Sequence, residues 1–409
     1  MSKPLRSLIV LAVVLAIGIV AGSVLRGRRT ASDPAVVAAS PQVHQLADAN
    51  ILFGFRLLAH LTKAAPRSNV FFSPFSVTNA LTMILNGAAG TTQRDIASTL
   101  SLQAMSLDQT NQASSLLLPS LENPNPKVEL SVANALWANK GQNFAPDFQS
   151  KCRRFYGAEA TTLDFSKPSA ASTINRWVSR NTRGKIDSIV SADDLSSSTA
   201  VLTNAVYFHG QWTKKFNKQA TQNGKFTLAG GQTKIVPLMT QEDTFSYLET
   251  NQFQAVSLPY GQGRISAYVF LPRKNLHAFL SSLNAAQWQE WIGKMRPTSV
   301  TITLPRFGAD YHASLNAPLT ALGMGSTFGP GADFAPMGLN ESFIGKIVHK
   351  AVLQIDEEGT VAAAATGGEM TASVRPLGVE MRVDHPFFLA IRDNLTGTLL
   401  FVGAIYDPK

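Results

Sequence analysis

The side chains able to do chemistry are thinly spread in this chain. Its seven histidines are scattered, and a single cysteine, Cys152, excludes an intramolecular disulfide and a multi-cysteine metal site. There is no Gly-x-Ser-x-Gly elbow, no His-Glu-x-x-His and no phosphate-cradling Gly-x-x-x-x-Gly-Lys-Ser/Thr. Gly323, Gly325 and Gly329 are spaced one residue too wide for a dinucleotide loop and read as turn residues. The chain therefore reads as no enzyme, with neither cofactor nor metal, although a triad assembled in space stays open because triad order varies between folds. One segment does carry a chemical implication. From Thr360 to Gly368 there are nine residues with nothing larger than valine, no charge and no proline. As a strand, Thr360, Ala362, Ala364, Thr366 and Gly368 would share one small, uncharged face able to enter a packed sheet; as a loop, the same residues are simply mobile.

The elements around that segment are legible from periodicity. Val348–Ile355, just before it, is a clear strand, and Leu202–Phe208, Ala255–Leu258, Ser266–Leu271, Val300–Leu304 and Leu399–Ile405 are β-rich runs bounded in several cases by Pro or Gly. From Val43 to Leu61, Leu46, Ala49, Phe53, Leu57 and Leu61 recur three or four apart, as on an amphipathic helix. Asn69–Val77 reads as a short strand breaking at Pro74 into a helix, and Ala170–Arg180 and Leu276–Met295 carry further helical patterns. Their irregular alternation with the strands predicts an α+β fold without internal repeats.

Several of these stretches resemble one family. His349–Thr366 is similar to the hinge and proximal reactive loop of the serpins, and Asn69–Ser76 to their Asn-x-Phe-x-Ser-Pro-x-Ser signature. Asn86-Gly87-Ala88, Ala133–Trp137, Asn175–Val178, Leu202–Ala205 with Phe208-His209-Gly210-x-Trp212, Leu258-Pro259-Tyr260, Pro386-Phe387 and Arg392–Gly403 also match, in family order, so the resemblance covers about residues 45 to 409. It implies a fold of three β-sheets and about nine helices, with an exposed reactive-centre loop. It further implies a monomeric suicide substrate: a serine protease acylates itself on the loop, and the cut loop inserts into the main sheet before the ester is hydrolysed. A non-inhibitory member acting as carrier or chaperone is the alternative.

Residue by residue, the resemblance makes Glu357 the acidic hinge residue, Gly359 the pivot, Thr360 the first inserting residue, and Ala362, Ala363, Ala364, Ala365 and Thr366 the small run that follows. The scissile bond of the family usually lies fourteen residues beyond the pivot, which is Ser373-Val374 here. The small residues around it suit an elastase-like or subtilisin-like pocket. Arg375 would instead suit a trypsin-type cut and Met370 a chymotrypsin-like one. Ser73, Ser76, Asn204 and His349 match the polar cluster beneath the point where the main sheet parts, and Trp212 the tryptophan at the top of the opening. Val361, where glutamate is common, and the pair Gly367-Gly368 depart from the pattern.

The net charge of +9 does not point to nucleic acid. Lys3, Arg6, Arg26, Arg28 and Arg29 supply five positive charges before any acidic residue, leaving about +4 for the rest of the chain. No Lys or Arg lies between Asp95 and Pro126, so heparin regulation through an early helix is not expected. Residues 7–25 are nearly all apolar between basic flanks, so residues 1–30 read as a signal peptide or membrane anchor and the protein as secreted, extracytoplasmic or anchored. Residues 31–42, rich in Ala, Ser and Pro, read as a flexible tether, and 43–409 as one folded domain.

Overall fold

The computed structural model describes residues 32–122, 124–196, 198–360 and 378–409. Residues 7–25 lie outside them, and none of the described helices is long and apolar enough to cross a membrane.

The expected tether is largely structured. Asp33-Pro34 and Ser40-Pro41 are each an N-cap followed by a proline at the first helical position, where a missing N–H costs nothing. The Asp33 carboxylate accepts the Ala35 N–H at 2.8 Å and opens the helix Pro34–Ala38, whose Val37 is fully buried. Ser40 Oγ accepts the Val43 N–H at 3.4 Å and opens the long helix Pro41–Ala64. Alanine, serine and proline suggested a linker by composition, but their order spells two helix starts. A chain begun at Val43 loses one buried valine and two caps, together about 2–4 kcal/mol. It should fold yet melt several degrees below a chain begun at Ala31; identical melting curves would mean that residues 31–42 contribute nothing.

Leu46, Ala49, Phe53, Leu57 and Leu61 are all buried on Pro41–Ala64, as their spacing requires. Gly54 lets this helix reach the next one, since a Cβ there would sit 2.9 Å from the Pro74 ring. Ser73 caps the wholly buried helix Pro74–Leu85 by accepting the Ser76 N–H at 3.0 Å. The single helical pattern read over Leu276–Met295 is two helices, Leu276–Ser282 and Ala285–Lys294. Asn284 interrupts it by turning its Oδ1 to the Gln287 N–H at 3.0 Å, a cap that competes with helix continuation.

The strands form two hydrogen-bonded networks among the described residues. The mixed helices and sheets are those of the expected α+β fold, and its three sheets appear as two networks because Thr233–Glu249 is one continuous strand shared by two of them. It pairs with Gln222–Thr227, Arg296–Pro305 and Phe253–Tyr260 in turn and so joins what would otherwise be separate sheets. The main sheet runs Phe307–Ser314, Lys346–Ile355, Ala200–Gln211, Val128–Asn139, Glu159–Leu163, with the two-residue strand Gly359–Thr360 added against Ala200–Gln211. Its middle is covered on both faces. Leu202, Val206 and Phe208 enter the large core, while Val201 and Ala205 pack under Ile174 and Trp177 of the helix Ser169–Asn181. A strand buried on both sides lacks the polar alternation of a half-exposed one, and Leu202–Phe208 was visible in sequence as a β-rich, largely apolar run.

Candidate functional site

The strand Lys346–Ile355 lies parallel to Ala200–Gln211, with Lys346 opposite Val201 and Val352 opposite Tyr207. Above Tyr207 the partner changes. The chain turns at Asp356, and Gly359 and Thr360 pair antiparallel with Gln211 and Gly210. The turn is tight: Asp356 and Gly359 exchange backbone hydrogen bonds of 2.8 and 3.2 Å, and the Asp356 carboxylate accepts the N–H groups of Glu358 and Gly359 at 2.9 and 3.1 Å. Gly359 has φ of 145°, and a Cβ there would lie 2.1 Å from the Gly210 carbonyl oxygen. Only glycine meets both conditions.

The acidic run is held from the segment that follows Trp212. Trp212 N–H donates to the Glu358 carbonyl at 3.0 Å, Phe216 N–H to the Glu357 carbonyl at 2.9 Å, and the Trp212 indole N–H to the Asp356 carbonyl at 2.8 Å. The indole is itself stacked on Tyr260 with ring centroids 4.3 Å apart. Glu357 is buried, accepts from the Thr221 hydroxyl at 2.7 Å and has the Arg306 guanidinium at 3.7 Å. Glu358 is paired with Lys215 and with Lys218, the latter at 2.9 Å, and the two ammonium groups hold its carboxyl below the usual range. Burial pushes the Asp356 carboxyl the other way. Sequence reasoning named Glu357, Gly359, Thr360 and Trp212 and had Tyr260 only as part of the motif Leu258-Pro259-Tyr260, but missed Lys215, Lys218, Thr221 and Arg306.

Lower in the same seam His349, Asn204 and Asn134 are register partners on three adjacent strands. The Ser73 N–H donates to His349 Nε2 at 3.3 Å, so Nδ1 carries the proton and donates to Asn204 Oδ1. The Asn204 amide in turn donates to Ser76 Oγ at 2.6 Å, to the Ser76 carbonyl at 2.9 Å and to Asn134 Oδ1. Ser73, Ser76, Asn204 and His349 are thus brought together in one buried cluster. Asn134 completes it and was visible only as part of the motif Ala133–Trp137.

His349 is fully buried, and burial first, with His312 nearby second, lowers its pKa to about 3. The folded chain then refuses a proton that the unfolded chain accepts near pH 6.5. Between those values the unfolded state binds more protons, so stability falls on acidification, by up to about 1.4 kcal/mol per pH unit from this one residue. Denaturant titrations from pH 7.5 to 4 should show that slope, and His349→Gln should lose it. An unchanged slope in the variant would assign the acid sensitivity to other groups.

Cys152 is buried, and desolvation raises its thiol pKa to about 12, which leaves it unreactive. Among the described residues no group of His, Cys, Asp and Glu could hold a metal. Ala362, Ala363, Ala364, Ala365, Thr366, Met370, Ser373, Val374 and Arg375 lie outside the described residues.

Residues 48–408 match the family model described as Serpin (serine protease inhibitor). Leukocyte elastase inhibitor A of Mus musculus is 34% identical over 90% of this chain and 100% of its own length, and leukocyte elastase inhibitor of Homo sapiens is 33% identical with the same coverage. Among solved structures, human thyroxine-binding globulin in complex with thyroxine superposes with a TM-score of 0.84 at 28% identity, covering 90% of this chain and 100% of that one. The thermophilic serpin tengpin in its native state gives 0.83 at 26% identity, covering 93% and 96%. A description of the chain as merely no enzyme is corrected by these matches, because they put it in contact with enzyme chemistry as an inhibitor. With the model matching nearly the whole folded domain and relatives aligned over their full length, the chain belongs to the serpin family.

Proposed function

We propose that the protein inhibits a serine protease as a suicide substrate, with Ser373-Val374 as the bond attacked. The protease serine Oγ adds to the Ser373 carbonyl, the Ser373–Val374 bond breaks, the Val374 amine leaves, and an ester links Ser373 to the enzyme. Trapping then requires insertion of the freed segment before water cleaves that ester.

The observation that carries the reading is the partner change on Ala200–Gln211, where Gly359 and Thr360 already occupy the first two places of an antiparallel strand. Continuing that register would set Ala362 opposite Phe208, Ala364 opposite Val206 and Thr366 opposite Asn204. Directly opposed residues share a face. The small side chains would therefore enter beside buried Phe208 and Val206, and Thr366 would arrive where the His349–Asn204 hydrogen bond must open. Two elastase inhibitors among the relatives, and the small residues from Thr371 to Val374, favour an elastase-like target over a trypsin-type cut at Arg375 or a chymotrypsin-like one at Met370. Residues 7–25 would deliver the domain to a membrane or across it, in keeping with an extracytoplasmic target.

Mixing the chain with an elastase, a subtilisin and a trypsin, then boiling in detergent, tests this directly. A covalent complex with the first or second, and a new N-terminus at Val374, are expected. Cleavage without any complex would leave a non-inhibitory carrier or chaperone.

A further inference from the structure

The helix Ser169–Asn181 turns one side to the main sheet, through Ala170, Ile174, Trp177 and Val178, and the other to water. The outward side is cationic. From Phe165 to Ile186 there is no Asp or Glu, while Lys167, Arg176, Arg180, Arg183 and Lys185 are all exposed. Arg176 and Arg180 lie one turn apart on the same face, and Arg183 and Lys185 follow directly after the helix end. Among the described residues, Arg183 alone of the five has a carboxylate within ion-pair distance, Glu129 at 2.7 Å. Arg176 reaches only the Thr173 hydroxyl at 3.4 Å, and Lys185 lies over the Tyr207 ring. The carboxylates that bound the stretch have other partners. Asp164 pairs with Lys140 at 3.6 Å and accepts from the Ser166 hydroxyl at 2.6 Å, and Asp187 accepts from the Ser179 hydroxyl at 3.4 Å.

A run of exposed cations with so little counter-charge attracts a polyanion, and the rest of the surface narrows its kind. The other exposed residues of the stretch are Ser166, Pro168, Ser169, Ser172 and Gly184. There is no exposed ring on which a nucleic-acid base would stack and, Pro168 apart, no apolar side chain to enter a lipid surface. Trp177, the one indole of the helix, is buried edge-on against Trp137. What fits is a chain made of charge alone, and guanidinium groups match phosphate oxygens two at a time.

We propose that this face binds linear inorganic polyphosphate, laid along Arg176, Arg180, Arg183 and Lys185. Occupancy acts on the main sheet, because the chain from Arg183 to Ile189 is fastened on both sides of its seam. Arg183 is tied to Glu129 on Val128–Asn139, and His312 Nε2 on Phe307–Ser314 donates to the Ile189 carbonyl at 3.0 Å. A strand inserted between Ala200–Gln211 and Lys346–Ile355 moves those neighbours apart by one strand spacing, about 4.8 Å. That pulls the two fastenings away from each other and opens the weaker, the exposed ion pair. Polyphosphate competes with Glu129 for Arg183, so a bound chain opens this fastening in advance and speeds insertion. That coupling rests on the inhibitory mechanism proposed above; the binding does not.

Long-chain polyphosphate carrying a fluorophore at one end, titrated with the full chain and read by anisotropy, tests the binding. Polydeoxythymidylate, dextran sulfate and phosphatidylglycerol vesicles are the competitors. Polyphosphate should bind saturably, and less tightly as salt rises. Arg176→Gln combined with Arg180→Gln should weaken it about thirtyfold, the scale of two cations facing an anionic surface. Lys63→Gln combined with Lys274→Gln removes the same charge from exposed positions elsewhere and should leave binding nearly unchanged. Circular dichroism melts establish that each variant is folded, and Arg180→Gln alone serves if the arginine pair is not. The site is refuted if the parent shows no saturable binding, if the folded arginine variants bind like the parent, or if the lysine pair weakens binding as much. Tighter binding of any competitor overturns polyphosphate as the partner. Saturating polyphosphate should also speed formation of the protease complex, by up to about fivefold, the most an exposed ion pair carries. Glu129→Gln keeps all five cations but no charge to hold Arg183, so it should form the complex faster unaided and gain nothing from polyphosphate. Binding without that acceleration overturns the coupling, whereas a parent that never forms a complex overturns the inhibitory mechanism and leaves the site standing.

Discussion

Cutting the chain once within Gly367–Val374 should raise its thermal midpoint by roughly 20 °C. The estimate follows from the ladder that Gly359 and Thr360 begin. A strand continued to about Met370 gains on the order of ten backbone hydrogen bonds, each worth about 1 kcal/mol net, and a large domain shifts by about 2 °C per kcal/mol. Apolar burial of Ala362 and Ala364 against Phe208 and Val206 adds to it. A nick in an ordinary surface loop removes a constraint and lowers stability, so the sign alone discriminates. Calorimetry of the intact chain and of a chain nicked by catalytic amounts of subtilisin is sufficient. Equal midpoints, or a lower one after nicking, would exclude insertion.

Thr360→Arg should turn the protein from an inhibitor into a substrate. Alternation from Thr360 through Ala362 and Ala364 puts position 360 among the side chains that enter the sheet, and an unpaired guanidinium there costs several kcal/mol. Even if only about 1.4 kcal/mol of that is felt in the rate-limiting step, insertion slows about tenfold while acylation at Ser373 is untouched. The expected result is cleavage at Ser373, a stoichiometry of inhibition at least about tenfold higher, and active protease released. Val361→Arg is the matched control, since its register partner would be the half-exposed His209 and its side chain can reach water. Equal trapping by both variants, or cleavage of neither, would sink the mechanism.

Much of the fold was legible because its signals are local. Ser73-Pro74 is a cap and a first-turn proline in adjacent positions, and the two-sided burial of Ala200–Gln211 shows in a β-rich, mostly apolar run broken only at its polar positions. The polar cluster was reachable only through the family resemblance, since Ser76 and Asn204 are 128 residues apart. Lys215 and Lys218 meet Glu358 across a comparable span, and nothing in their neighbourhood marks them among the other lysines of the chain. The two misread stretches have a common cause. In 31–42 and at Asn284, a capping residue was weighed by its composition instead of by its position relative to the next turn.

The geometry at Gly359 separates two properties that usually fall together. Its left-handed backbone and its approach to Gly210, Gln211 and Trp212 involve main-chain atoms alone, so an added side chain would meet the end of the neighbouring strand and not the side chains of the core. Any side chain there would bar the hinge from its first place while leaving the packed interior as it is. A lineage could thus shed its inhibitory activity through one codon and still pass every cellular check on folding, so that well-folded, abundant and inert descendants are an easy evolutionary destination for this architecture.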